Sequence, residues 1–296
     1  MGLQEWNMDG KVCLITGANA GIGKRAALQL AKLGAEVIIV CRNEVSGKMA
    51  AKEIITKTEN PRVTFLKGDL SSQTSIHQLS REIHNQFDRL HVLIHNAANF
   101  DLSMKKPKFT EEGIETIFAT NHLGPVLLSN LLVDQLKEEK GRIITIASKG
   151  LLVYPFMTVD FQNLNGEQSF SPTKAYYQSK LAQLMFTYKA AEILQPKGIT
   201  VNAIRVPSVQ LDEGRHEEVS ALLRTAYKIK RKFSITPEQM ARTYVYLAAS
   251  PDLEQITGKY FDEENNMVHS SKKSYDPSVI NKLWEVSNQL TKIEQW

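Results

Sequence analysis

Short, almost wholly apolar runs alternate with amphipathic stretches from one end of this chain to the other, and that alternation narrows the fold. Lys11–Thr16 (K-V-C-L-I-T), Glu36–Cys41 (E-V-I-I-V-C), Arg62–Leu66, Leu90–His95, Arg142–Ala147 (R-I-I-T-I-A), Thr200–Arg205 and Lys259–Phe261 read as strands. Strands with no polar alternation are buried on both faces, which places them in a parallel sheet covered by helices. The stretches Gly21–Leu33, Ser46–Thr58, Ser72–Gln86, Glu112–Leu136 and Thr173–Leu194 carry the helical period. Parallel strands joined by helices need right-handed crossovers, so the expected class is α/β, doubly wound, with helices on both faces of about seven strands. The 296 residues suit one such domain. Its core is expected over residues 10–262, with a C-terminal extension over 263–296, and no repeat or linker marks a second unit. The least regular stretches, Leu151–Pro172 and Pro207–Pro237, follow strand ends and are expected to wall a cleft at the carboxyl edge of the sheet.

The first strand runs into T-G-A-N-A-G-I-G, Thr16–Gly23, which opens a helix. That context is the one a dinucleotide fingerprint requires, and it makes the domain Rossmann-type. Gly17 permits the tight turn, while Gly21 and Gly23 let backbone approach a pyrophosphate. Asn19, Ala20 and Ile22 complete the cradle, and the helix N-terminus offers N–H groups and a positive dipole end. The second strand ends at Cys41-Arg42 with no acidic residue to hold ribose hydroxyls. Arg42 is instead suited to a 2′-phosphate. NADP(H) is therefore the expected cofactor and NAD(H) the alternative, should Arg42 be only a solvated loop residue.

Far downstream stands Y-Y-Q-S-K, whose first and last residues are Tyr176 and Lys180. Residues four apart on a helix share a face, so phenol and ammonium can meet. A phenol titrates near pH ~10, and a neighbouring cation favours the phenolate. A tyrosine so tuned can take a proton from an alcohol or give one to a carbonyl. Tyr177 has no lysine at that spacing.

With Thr16–Gly23 and Tyr176–Lys180 together, the chain resembles the classical short-chain dehydrogenase/reductases. T-G-A-N-A-G-I-G-K followed by V-C-R-N is similar to their retinol-dehydrogenase-like branch. The resemblance runs from about Gly10 to about Gly258. It implies that Asp69 and Leu70 in Gly-Asp-Leu meet the adenine, and that Asn96 and Ala97 lie against the cofactor. It implies a catalytic set of Asn121, Ser148, Tyr176 and Lys180, with Tyr176 and Lys180 also touching the cofactor. Asn121 would hold a water near Lys180, and Ser148 would donate to the substrate oxygen. Asp69 as a plain turn residue and Ser148 as a strand-end cap remain open readings. Two positions depart from the pattern. Ala98 replaces a glycine, which is tolerable where the backbone needs no positive φ. Pro207-Ser208 replaces Pro-Gly, which bears on the expected nicotinamide contacts of Pro207 and Val209.

The implied activity is hydride transfer between NADP(H) and a carbonyl or alcohol, with Tyr176 as proton donor or acceptor. A catalytically silent NADP(H)-binding regulatory or scaffold protein is the alternative. The apolar segments Leu151–Phe161 and Leu211–Phe233 point to a hydrophobic small-molecule substrate, though the branch name does not by itself imply a retinoid. A net charge of +4 does not predict a nucleic-acid partner, and the cluster Lys228–Lys232 reads as a solvated helix end or loop. Cys13 and Cys41 lie in strand-like runs without a second ligand at metal spacing, so no metal is expected. Two buried thiols, no signal peptide, a poor match of Gly2 to a myristoylation site and no run long enough for a transmembrane anchor lead to a cytoplasmic expectation. A homodimer through the long central helices is compatible with the family, and the residues do not decide it.

Overall fold

The computed structural model of the chain describes residues 6–137, 140–210 and 234–296. Seven strands form one parallel sheet in the order β3-β2-β1-β4-β5-β6-β7. They are β1 (Val12–Thr16), β2 (Glu36–Cys41), β3 (Val63–Lys67), β4 (Val92–His95), β5 (Arg142–Ser148), β6 (Thr200–Val206) and β7 (Tyr260–Phe261). The helices linking them are α1 (Gly21–Lys32), α2 (Glu44–Thr58), α3 (Gln73–Gln86), α4 (Thr116–Phe118), α5 (Gly124–Leu131), α6 (Val133–Lys137), α7 (Pro172–Leu194) and α8 (Pro237–Ala249). A further helix, α9 (Pro277–Thr291), lies in the C-terminal extension. The expected doubly wound architecture is the observed one.

Alternation along each strand divides the core. Cys13 and Ile15 of β1 face α1, α2 and α8, packing with Ala27, Leu30, Ile54, Met240 and Tyr244. Val12 and Leu14 face the other way, onto Leu79, Ile83, Val126, Leu127 and Phe186 of α3, α5 and α7. Both faces being covered is why these strands carry no polar rhythm. Strand order reverses between β1 and β4, so the turns that follow them diverge and leave a crevice at the carboxyl edge, where ligands of such sheets bind.

One pattern of the sequence is interrupted in this layer. The helical period over Glu112–Leu136 runs without a break, but α4 gives way to a π-helical turn, Ala119–Leu123, before α5 begins, and α6 follows separately. The buried carboxylate of Glu115 starts the assembly by accepting from the N–H groups of Ile117 and Phe118, both at 2.9 Å. At the other end a Cβ on Gly124 would lie 2.3 Å from the Leu70 carbonyl oxygen. That close approach fixes where α5 must pass, and the wider turn absorbs the mismatch.

Among the described residues no helix is long and apolar enough to cross a membrane. Gly2, the cluster Lys228–Lys232 and the stretch Leu211–Phe233 lie outside the described residues. Segments flanking that last stretch are clipped together: Ile235 donates its N–H to the Ser208 carbonyl at 3.2 Å, and Gln210 donates to the Ile235 carbonyl at 3.0 Å.

Candidate active site

The glycine turn is held from behind by the strand that follows the crossover. Asn96, just past β4, donates through Nδ2 to the carbonyls of Thr16 at 2.9 Å and Gly17 at 3.1 Å. Its Oδ1 accepts from the buried hydroxyl of Tyr244 on α8 at 3.1 Å. Ala97 adds a bond from its N–H to Thr16 Oγ1 at 3.1 Å. Asn96 and Ala97 thus act here as struts that hold the turn, and Tyr244 is a third strut the sequence did not signal. Gly17 has a φ of +67°, and a Cβ there would stand 2.7 Å from the Ala97 Cα. Ala98 does not adopt a positive φ, so its replacement of glycine is tolerated.

Gly21, by contrast, opens onto space: a Cβ there would meet nothing within 4 Å, at a φ of +58°. Ala20 gives the first turn of α1 no side-chain cap. The end of a helix facing an open crevice is suited to an anion. Asn19 donates to Ser46 Oγ at 3.2 Å, tying the turn to the start of α2, which Asn43 caps by accepting from the Ser46 N–H at 2.9 Å. Between these elements Arg42 is 79% exposed, its Nη1 4.0 Å from Asp69 Oδ2. Asp69 does serve a turn, with Oδ1 accepting from the N–H and hydroxyl of Ser71. The Leu70 side chain is buried in the core, so only its backbone is left for a nucleotide.

The residues expected to be catalytic collect around α7. Lys180 is 3% exposed, and its ammonium donates to the Ile146 carbonyl at 2.9 Å. That bond pins the helix to β5 two residues before Ser148. Lys180 Nζ lies 5.7 Å from the centre of the Tyr176 ring. Phe100, in the loop after β4, lies against the same ring with centroids 4.0 Å apart, and Tyr177 meets it edge-on at 5.3 Å. Ser148 Oγ accepts from the Gly150 N–H at 3.1 Å, capping the short 3-10 turn Lys149–Val153. Accepting there leaves the hydroxyl proton to be given elsewhere.

Asn121, on the π-helical turn, is buried. Its Oδ1 accepts from the Asn99 N–H at 2.6 Å, and its Nδ2 donates to the Asn99 carbonyl and to Ser179 Oγ, both at 3.0 Å. Ser179 in turn donates to the Tyr176 carbonyl at 2.7 Å. The carboxamide is therefore spent on the loop after β4 and on α7, rather than turned to Lys180. Asn99, Phe100 and Ser179 escape sequence reading because each acts through a contact between distant segments.

Electrostatics correct one expectation. The cation beside Tyr176 is expected to lower its pKa, but burial raises it, with a smaller upward contribution from Tyr177. Phe100 and the helix layer strip water from the phenol, and desolvation penalises the phenolate more than an ammonium bonded to a carbonyl can repay. The same burial lowers Lys180 to about 8. Burial thus favours the protonated phenol of Tyr176.

Comparison with known proteins gives the family. The model of the short chain dehydrogenase family matches residues 11–218. The chain belongs to the short chain dehydrogenase family. Retinol dehydrogenase 13 of Mus musculus is 38% identical over 287 residues, covering 95% of this chain and 84% of that relative. Retinol dehydrogenase 14 of Mus musculus is 35% identical over 300 residues, covering 97% and 87%. These place the chain in the retinol-dehydrogenase-like branch. Among solved structures, an uncharacterised protein from Mycobacterium paratuberculosis superposes with a TM-score of 0.74 at 25% identity, over 99% of this chain and 97% of that one. A Shigella flexneri short chain dehydrogenase complexed with NADP has a TM-score of 0.67 at 22% identity, over 88% and 99%, and shares the fold.

Short chain dehydrogenases are oxidoreductases that use NAD(H) or NADP(H). The residues present here fit such a group: a helix start whose N-cap residue Ala20 carries no capping side chain, open space at the Gly21 Cβ position and a cation at the end of β2. A cavity of about 140 Å³ lies near the site, lined by Leu151, Leu152, Pro155, Leu181, Leu184, Tyr260, His269, Ser270 and Ser271. Neither Tyr176 nor Ser148 lines it. Part of the expected apolar wall faces outward instead, with Phe156 86% exposed.

Proposed function

We propose that this short chain dehydrogenase is an NADP(H)-dependent oxidoreductase that interconverts a carbonyl and an alcohol on a hydrophobic small molecule. Tyr176 is its proton donor. The observation that carries this reading is the cluster in which the buried Lys180 is anchored to β5, two residues before the half-buried Ser148, while the half-buried Tyr176 shares its face of α7. When bound, the nicotinamide supplies hydride to the carbonyl carbon. Tyr176 gives its proton to the carbonyl oxygen, which breaks the phenol O–H bond and completes the alcohol. Ser148 donates to the same oxygen as negative charge develops there. Lys180 stabilises the resulting phenolate and passes a proton back to it. Arg42 holds the 2′-phosphate that distinguishes NADP(H).

Supporting the cofactor choice, Arg42 is exposed at the end of β2 and Asn19 and Ser46 offer polar groups beside it. Replacement of Tyr176 by Phe removes one oxygen and tests the role directly. Turnover of aldehydes or ketones with NADPH falls by about 10²–10⁴-fold, the usual contribution of a positioned acid, while NADPH affinity stays within a few fold. Substantial residual turnover in the folded variant overturns it. A wild-type protein that binds NADPH yet turns over no member of an aldehyde, ketone and alcohol panel would instead be a silent cofactor-binding protein.

A further inference from the structure

The C-terminal helix α9 reaches the π-helical turn through a buried hydrogen bond. His122, the residue after Asn121 on the π-helical turn, is 1% exposed, and its Nε2 lies 2.8 Å from Ser287 Oγ on α9. Ser287 directs its own proton to the Leu283 carbonyl at 2.7 Å. Its oxygen therefore accepts from His122, which fixes the imidazole as the Nε2–H tautomer. The ring is clamped on its sides as well, by Phe118 at a centroid distance of 5.0 Å and by the edge of Phe186 at 6.4 Å. Burial lowers its pKa to about 3, against a smaller upward pull from the Gln183 amide, so the imidazole stays neutral.

The segment carrying Ser287 is itself tied down at several places. Gln73 of α3 donates to the Leu290 carbonyl at 2.8 Å, and Asn130 of α5 donates to the Gln295 carbonyl at 2.6 Å. Trp284 stacks on Phe186 with centroids 6.0 Å apart and planes inclined by 13°, and Trp296 closes over both. A π-helical turn gives up the regular hydrogen-bond ladder and persists where tertiary contacts support it. Here those contacts converge on the residue next to Asn121. Asn121 in turn grips both backbone groups of Asn99, one residue before the Phe100 that lies against Tyr176.

We propose that α9 is a positioning element of the active site. Through Ser287 and His122 it holds the π-helical turn in register, and so holds Asn121 against Asn99 and Ser179. Ser287 and His122 are positioning residues that touch neither substrate nor cofactor. This inference rests on the proposed role of Tyr176 and Lys180 in turnover, which Asn121 supports through Asn99 and Ser179.

The test is a double-mutant cycle with Ser287→Ala and His122→Phe, the second keeping an aromatic ring in the clamp while losing the hydrogen bond. Each single variant lowers kcat about five- to tenfold with the KM for NADPH within twofold, and the double variant is no slower than the slower single. Such non-additivity marks a pair acting as one unit. Hydrogen exchange gives a second readout without substrate or cofactor. The Asn99 amide, which donates to Asn121, exchanges about tenfold faster in Ser287→Ala, while amides of β1 and α1 are unchanged. Wild-type kcat in the folded single variants, effects that multiply, or exchange that accelerates uniformly would overturn the proposal. Should the wild-type protein turn over nothing, the enzymatic reading fails, and the Asn99 amide still decides whether α9 holds the turn.

Discussion

The two halves of the crevice are stabilised in different ways. On the β1–β4 side the cradle is built from backbone: a positive-φ glycine turn whose carbonyls are met by Asn96, which is itself met by Tyr244. Its specificity lies in close approach and satisfied hydrogen bonds. On the β5–α7 side the polar groups are desolvated. Lys180 is a buried cation and Tyr176 a half-buried phenol, with His122 a buried neutral imidazole on the adjoining π-helical turn. A substitution in the first half should cost folding and cofactor binding together. In the second half, function and stability should part company, because burying a charge is unfavourable for folding.

Lys180→Met probes that separation with the largest effect. Turnover should fall by about 10²–10³-fold, within the range of a lost acid–base partner, yet at pH 7 the variant should be more stable than wild type, by up to about 3 kcal/mol. In the folded protein Lys180 titrates at about 8, well below its unfolded value of about 10.4. Below pH 8 both states hold the proton and the full cost of the buried cation stands. Between those two values the unfolded state binds more protons, so wild-type stability rises with pH. The advantage of Lys180→Met, read from denaturant midpoints, should therefore shrink from pH 8 to pH 10. A variant less stable than wild type at pH 7 would erase the contrast between the halves.

Gly17→Ala is the counterpart on the other side. Its Cβ would stand 2.7 Å from the Ala97 Cα at a φ of +67°. Positive φ and overpacking together cost about 2–4 kcal/mol. Thermal denaturation and NADPH titration should show both properties worsening together. Arg42→Ala comes next: loss of a charge-assisted contact, worth about 1.5–3 kcal/mol, should raise the KM for NADPH about 10–100-fold and leave that for NADH unchanged. An equal effect on both cofactors would remove the 2′-phosphate assignment. Tyr244→Phe should be mildest, with about 1 kcal/mol of stability lost with one hydrogen bond and a small drop in cofactor affinity as Asn96 loosens.

Much of the candidate site was legible because its parts are local. The turn Thr16–Gly23 and the pair Tyr176–Lys180 each lie within one turn or one helix, so spacing alone determines what shares a face. Arg42 was legible as the end of a strand. The break in Glu112–Leu136 was not, since apolar residues at helical spacing continue through it. The break ends where Gly124 passes close over the Leu70 carbonyl, a contact spanning more than fifty positions of sequence. The Tyr176 pKa was misjudged for a related reason: four-residue spacing brings a cation near, but only folding brings Phe100 to exclude water.

Periodicity and glycine placement were enough to determine the doubly wound sheet, the glycine turn that opens α1 and the shared helix face of Tyr176 and Lys180, because each depends on backbone geometry over a few residues. Tertiary structure alone decided how strongly those groups are desolvated. It also put Asn96 behind the turn and set α9 against His122. Burial and long-range hydrogen bonds depend on what other segments arrive, and the spacing of residues along one segment carries no record of them.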